Sequence, residues 1–89
     1  MNDHSRRLVE AVFKAIRRYE DGAVDEEELL RDIEGISEAI EEQDVQNLVS
    51  DLAVKIDESR YLYNVEEGKR VLSLQIDKFR EAVLKLDRI

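Results

Sequence analysis

The fold turns on "GISEAIEEQDVQNLV", residues 35–49. Just upstream and into it, Leu29, Ile33, Ile36 and Ile40 follow a 4-3-4 spacing, the apolar seam of a bundle helix. Continued in the same phase, that seam would put Gln43, Asp44 and Asn47 inside. A fresh stripe instead starts five residues after Ile40, at Val45, and runs on through Leu48, Val49, Leu52 and Ile56. The phase breaks. The spacing therefore predicts a turn near residues 42–44, with Asp44 as the N-cap of the next helix. The rival is one kinked helix carrying both stripes, which leaves three helices in all.

Outward from this point the pattern repeats. In "SRRLVEAVFKAIRRYEDG", residues 5–22, Leu8, Val9, Val12, Phe13, Ile16 and Tyr19 form one helical stripe. Asp3 or Ser5 is placed to cap its start. Arg17 and Arg18 stand in its last turn, where the helix dipole favours cations, and Gly22 supplies the stop. The second helix is expected to begin at Asp25, with Glu28 three residues on as in a capping box. Gly35 lies beside its seam and weakens the helix by about 1 kcal/mol relative to Ala; close approach of a neighbouring helix is one reason to keep it.

Seven residues beyond Ile56 the third seam returns to Tyr63, which is placed to close the core. Carried further it would bury Glu66, Glu67 and Arg70, so this helix must end too. Asn64 followed by Glu67 has the form of another cap. Leu72, Ile76, Phe79, Val83 and Leu86 give the fourth helix its seam, with Gly68 tolerable in the first turn. Four amphipathic helices joined by short turns lead to the expected fold: an all-α, antiparallel, up-down-up-down four-helix bundle, one domain over residues 1–89.

Composition agrees. Proline and cysteine are absent, glycine occurs three times, and 43% of the residues are apolar, enough to build a core. A chain this short buries only about 60–65% of its unfolded surface, leaving little room for an enclosed substrate cavity. No apolar run approaches the roughly 18 residues of a membrane span, and the start lacks the apolar segment of a signal peptide. Without cysteine there is neither a disulfide framework nor a thiolate metal site, in keeping with a cytoplasmic location.

Chemistry finds few footholds. His4 is the single histidine, near the chain's start, so no Glu-x-x-His pair exists for a di-metal site and no serine has a base to activate it. The loop from Asp21 fails as a calcium loop: Ala23, Glu26 and Asp32 stand where ligand, glycine and glutamate belong. Neither a cofactor nor a metal is expected, and the chain reads as no enzyme.

Charge is where the sequence speaks. The net charge is −8, which argues against a nucleic-acid or membrane partner. Residues 1–19 carry +3, residues 20–44 carry −11, residues 45–64 carry −1 and residues 65–89 carry +1. Glu27, Glu34, Glu38 and Glu41 fall opposite the helix-two seam, with Arg31 the one cation among them. Asp21, Asp25, Glu26, Glu28, Asp32, Glu42 and Asp44 enlarge the acidic edge. Glu34–Glu38, Glu38–Glu41 and Glu38–Glu42 stand one turn apart, each repelling by about 0.2–0.5 kcal/mol. Two explanations stay open: a solvated helix face whose first-turn acids serve the dipole, or a surface kept for a cationic partner. Tyr61 points away from the seam, either as an exposed interface anchor or lying over the stem of Arg60 or Lys69.

With "RRYEDGAVDEEELL" at residues 17–30, a helix closing on an aromatic-acid-Gly turn before an acid-capped second helix, the chain resembles the bacteriocin immunity proteins, most nearly the colicin D type. The resemblance covers mainly residues 8–40. It implies a non-catalytic inhibitor that covers the cationic active site of a nuclease toxin with carboxylates, the acids from Asp21 to Glu42 acting as a group. Tyr61 and Tyr63 are separated by Leu62, so the tyrosine pair of the DNase-type immunity proteins is not matched.

The expected function is thus a small acidic binding protein for a basic protein, plausibly a nuclease toxin. The expected contacts are Asp21, Asp25, Glu27, Glu34, Glu38, Glu41, Glu42 and Tyr61. The alternative is a self-associating structural or regulatory module, built on a patch of Leu62, Val65 and Val71. The first reading is met by a monomer, the second by a homodimer.

Overall fold

A computed structural model describes residues 1–87. Its four helices are α1 (Asp3–Glu20), α2 (Glu26–Ala39), α3 (Gln43–Tyr61) and α4 (Val65–Asp87). Each helix packs its backbone closely against the next in sequence, and α1 also reaches α3. α1 and α4 meet through side chains: Phe13 and Phe79 stack edge to face with centroids 5.7 Å apart, and Arg6 pairs with Asp87 at 2.9 Å. The bundle measures 38 × 21 × 20 Å.

The decisive break lies where the seam changes phase, slightly earlier than expected. Ile40 leaves the helix with φ −80° and ψ 125°, and α3 starts three residues later. Asp44 is not the cap. Glu42 occupies that place without a side-chain capping bond, while Asp44 sits in the first turn and accepts from the adjacent Val45 N–H. The reason is packing. Ile40 and Val45 are both buried, and only a short corner turns both inward. The Ser37 carbonyl freed at the end of α2 accepts from the Ile40 N–H and from the Gln46 side chain, both at 3.2 Å. Orphan carbonyls at a buried helix end need such partners.

The other ends follow local chemistry. Gly22, at φ 81°, closes α1: its N–H reaches the Tyr19 carbonyl and the Ala23 N–H reaches that of Arg18, the two bonds of a Schellman motif. Asp25 caps α2 by accepting from the Glu28 N–H, and Asn64 caps α4 by accepting from Glu67, both at 2.9 Å. The start of α1 differs from expectation. Asn2 is the cap, accepting from the Ser5 N–H, so Asp3 and Ser5 lie inside the helix. His4 is not loose either: its Nε2 lies 3.3 Å from the Ala39 carbonyl, and the Nε2–H tautomer donates there.

The core assembles the expected stripes. Val12, Ile16, Leu29, Ile33, Val49, Ile56 and Leu72 are wholly buried, each contributing about 1.5–3 kcal/mol by leaving water. Leu8, Phe13, Tyr19, Ile36, Leu48 and Leu86 pack around them half-buried. Tyr63 does not close the core. α3 ends at Tyr61, so the seam stops short of it, and Tyr63 stays 41% exposed. Buried Ser59 takes the last seam position, its hydroxyl donating to the Ile56 carbonyl at 2.7 Å.

The glycines exchange roles with respect to expectation. A Cβ on Gly35 would meet nothing within 4 Å, so no neighbouring helix accounts for that residue. A Cβ on Gly68 would stand 2.6 Å from the Ser59 backbone carbonyl oxygen. Gly68 is therefore what lets α4 start directly against the end of α3, and a backbone atom cannot swing aside as a side chain could.

The two helical glycines should answer alanine in opposite directions. Gly35→Ala is expected to raise stability by about 0.5–1 kcal/mol through helix propensity. Gly68→Ala is expected to lower it by about 1–3 kcal/mol, as overpacking does. Urea denaturation of both variants checks this; equal shifts of the same sign would refute the close contact.

Candidate functional site

α2 is short, and its acids divide by what they already do. At its N-terminus Asp25 is engaged as the cap, and Glu26 accepts from the Tyr19 hydroxyl at 3.3 Å. Burial, then the charge and hydrogen bond of Glu26, push the Tyr19 phenol up to about 12. Glu27 pairs with Arg31 at 3.4 Å, one turn on, with both side chains mostly exposed; such pairs contribute about 0.3–0.5 kcal/mol. Asp21, Glu34, Glu38 and Glu41 are exposed, and none has a hydrogen bond or ion pair through its side chain among the described residues.

Two expectations about this surface change. Because α2 ends at Ala39, Glu41 and Glu42 are not on the helix, and of the three like-charged pairs expected around Glu38 only Glu34–Glu38 remains. Glu42 is also already engaged within the chain. Its carboxylate accepts the Asn2 N–H at 2.6 Å and is held below its usual range chiefly by that bond. The wholly buried Ser5 hydroxyl adds to the effect, although it completes no hydrogen bond of good geometry. Glu42 fastens the start of α1 to the α2–α3 corner.

Among the hollows on the acidic edge, a small one lined by Asp25, Glu27, Glu28 and Asp32 also holds Arg31, and two others differ in character. One, about 580 Å³, gathers Tyr19, Glu20, Asp25, Glu26 and Glu27 with Arg60 and Lys69 from the α3–α4 side. Its charges are mixed. The other is an open groove of about 410 Å³ between α2 and α3. Leu30, Ala53 and Val54 supply apolar lining, Glu34, Glu38 and Asp57 the rim, and Ser37 and Ser50 lie between them. The two serine hydroxyls are hydrogen-bonded at 2.7 Å. No cation lines this groove.

Asp57, Val54 and the serine pair escaped the sequence reading. Asp57 lies outside the acidic block, in a stretch of nearly balanced charge. Ser37 was detectable: it falls four residues after Ile33 on the seam, a polar residue at a core position. Tyr61 lies where expected, 73% exposed, and the Arg60 guanidinium sits 5.8 Å from its ring centroid. At an exposed site that contact adds about 0.5–1 kcal/mol. Tyr61 therefore lies by Arg60 and remains open to solvent.

Among the described residues no group of three or more His, Asp or Glu side chains is set to hold a metal ion, and no helix is long and apolar enough to cross a membrane. No protein-family model, curated protein or solved structure matches the chain. The likeness to colicin D immunity proteins thus rests on the residues quoted for it.

Tyr19 offers a direct check on the α1–α2 corner. The folded state holds the phenolic proton more firmly than the unfolded chain, so the stability this adds is present up to pH 10 and lost as pH rises toward 12. Absorbance titration of tyrosinate should show a late component near pH 12 that Tyr19→Phe removes. The variant should also lose less stability between those pH values; a late component that survives the substitution contradicts the assignment.

Proposed function

We propose that this chain acts by contact: a small acidic binding protein, immunity-type, that neutralises a basic nuclease toxin by laying carboxylates over its cationic active site. It is not an enzyme, takes no cofactor, and binds neither nucleic acid nor membrane; it works in the cytoplasm as a monomer. The observation that carries the reading is that Glu34, Glu38 and Glu41 stand exposed and form no ion pair among the described residues, Arg31, the one cation on α2, being paired with Glu27. Lysines interleaved at neighbouring positions would relieve the Glu34–Glu38 repulsion, and the chain carries none there.

The frame for this surface is the antiparallel, up-down-up-down arrangement. Cross-links support it: Arg6 in the first turn of α1 pairs with Asp87 at the far end of α4, and His4 reaches Ala39 at the end of α2. Gly68 likewise abuts Ser59, placing the start of α4 beside the end of α3. Such a frame fixes the backbone that carries Glu34 and Glu38, so little backbone ordering is needed on binding.

Opposite charge steers association, so the on-rate should fall with salt and with charge reversal. Against a basic nuclease domain, Glu34→Lys, Glu38→Lys and Glu41→Lys together are expected to slow association by about tenfold or more at low ionic strength. Stopped-flow rates across a salt series measure this. A rate indifferent to both salt and reversal removes the acidic face from the mechanism.

One observation favours a second reading, self-association. Tyr61, Leu62 and Val65 are 73%, 67% and 75% exposed at the α3–α4 turn, an apolar run that a second copy could cover. Val71, expected in that patch, is half-buried and contributes less. Sedimentation equilibrium at micromolar concentration decides: a dimer dispersed by Leu62→Glu supports this reading, and a monomer ends it.

A further inference from the structure

We propose that the α2–α3 groove is the seat of an arginine side chain from the basic partner. This inference rests on the acidic-contact reading and deepens it by naming the chemistry received and the place that receives it. Three features converge.

Charge comes first. Glu34, Glu38 and Asp57 stand on the groove rim from both helices, and no side chain among the described residues pairs with any of them. The hollow at the α1–α2 corner is different, because Arg60 and Lys69 already share it with the acids. The hollow at the start of α2 holds Arg31 among its acids, and the one at the α3–α4 turn sets Arg60 beside Glu26. Of the hollows lined by α2 acids, the groove alone presents one sign of charge among the described residues. A concave site of one sign with low-dielectric walls focuses the field on a counter-charge.

Shape and apolar lining narrow the occupant. Val54 is 52% exposed within the groove wall, and Leu30 lies half-buried opposite. These suit the aliphatic stem of a long cationic side chain, which gains by covering apolar surface while its head stays polar. The Ser37 and Ser50 hydroxyls use one proton between them at 2.7 Å, and each oxygen retains accepting capacity toward an N–H.

Geometry selects arginine over lysine. Carboxylates line the groove from two helices, Glu34 and Glu38 from α2 and Asp57 from α3, and the Ser37–Ser50 hydroxyl pair lines it with them. A planar guanidinium has five donors spread over a fork and can address both sides at once. An ammonium is compact and more strongly hydrated, so it would lose more water for fewer fixed bonds.

The test uses synthetic amphipathic helical peptides carrying Leu on one face and either Arg or Lys along its edge, titrated into the isotope-labelled full chain. Amide shifts are expected to centre on Ser37, Ser50 and Val54, with the Arg peptide binding about tenfold more tightly than its Lys twin. Ser50→Leu fills the groove without altering charge at an exposed position and is expected to weaken the Arg peptide about tenfold. Glu38→Gln with Asp57→Asn should weaken it similarly, whereas Asp21→Asn with Glu27→Gln should leave it within about twofold. Circular dichroism verifies that each variant is folded.

Equal affinity for the two peptides, absence of binding by either, or indifference to Ser50→Leu each overturns the groove assignment. Those failures differ from failure of the acidic-contact reading. A salt-sensitive association that responds to charge reversal but ignores Ser50→Leu keeps the acidic face and discards the groove.

Discussion

Ile40 and Val45 must both be inside, and that requirement shapes the molecule. A continuous helix through residues 40–45 would turn one of them outward and bring Asp44 or Asn47 in. Three non-helical residues remove the conflict and fold α3 back on α2. The corner is then sealed by polar groups with no alternative partners: the Ser37 carbonyl by Ile40 and Gln46, the Ala39 carbonyl by His4, and the Asn2 N–H by Glu42. The chain's start is thereby tied to its middle. With Leu29 and Ile33 buried in the core beside Val49 and Ile56, Glu34 and Glu38 are left on the exposed flank of α2 that borders α3.

This coupling explains how a thin core coexists with a strongly acidic edge. Several carboxylates with a structural task are spent at an end or a corner: Asp25 as a cap, Glu26 on Tyr19, Glu42 on Asn2, Glu20 on Arg80. Glu34, Glu38 and Asp57, which have no such task among the described residues, line the groove between α2 and α3. Their mutual repulsion is small beside the burial of a single core isoleucine, a few tenths of a kcal/mol against about 1.5–3. The fold therefore tolerates an uncompensated acidic surface without having to be stabilised by it.

Most of this was legible in the sequence because it depends on period. The four stripes, the corner between α2 and α3, the Gly22 stop and the caps at Asp25 and Asn64 all follow from spacing and local hydrogen bonding. What was illegible depends on contacts across the chain. Asp44 has the right side chain for a cap, yet the corner closes two residues earlier to bury Ile40. Tyr63 has the right spacing, yet it lies past the end of the helix that gave the spacing meaning. Gly35 and Gly68 read alike on paper, and only the Ser59 carbonyl separates them. The acidic side was legible as a block, while the groove was not: Asp57 and Val54 join Glu34 and Glu38 only through the packing of α2 on α3.

The distinction between a block and a groove matters for how such a surface binds. Exposed charges are screened beyond about 8 Å at physiological ionic strength, so an acidic block by itself favours any basic protein, mostly through the rate of encounter. Discrimination needs a site where the wrong occupant leaves something unpaired or wet. The rim and serine hydroxyls of the α2–α3 groove meet that condition. A lysine placed there leaves acceptors on one helix or the other unserved, and an apolar side chain leaves three carboxylates crowded without a counter-charge. On the proposed reading, attraction belongs to the acids along α2 and selection to the groove where α2 meets α3.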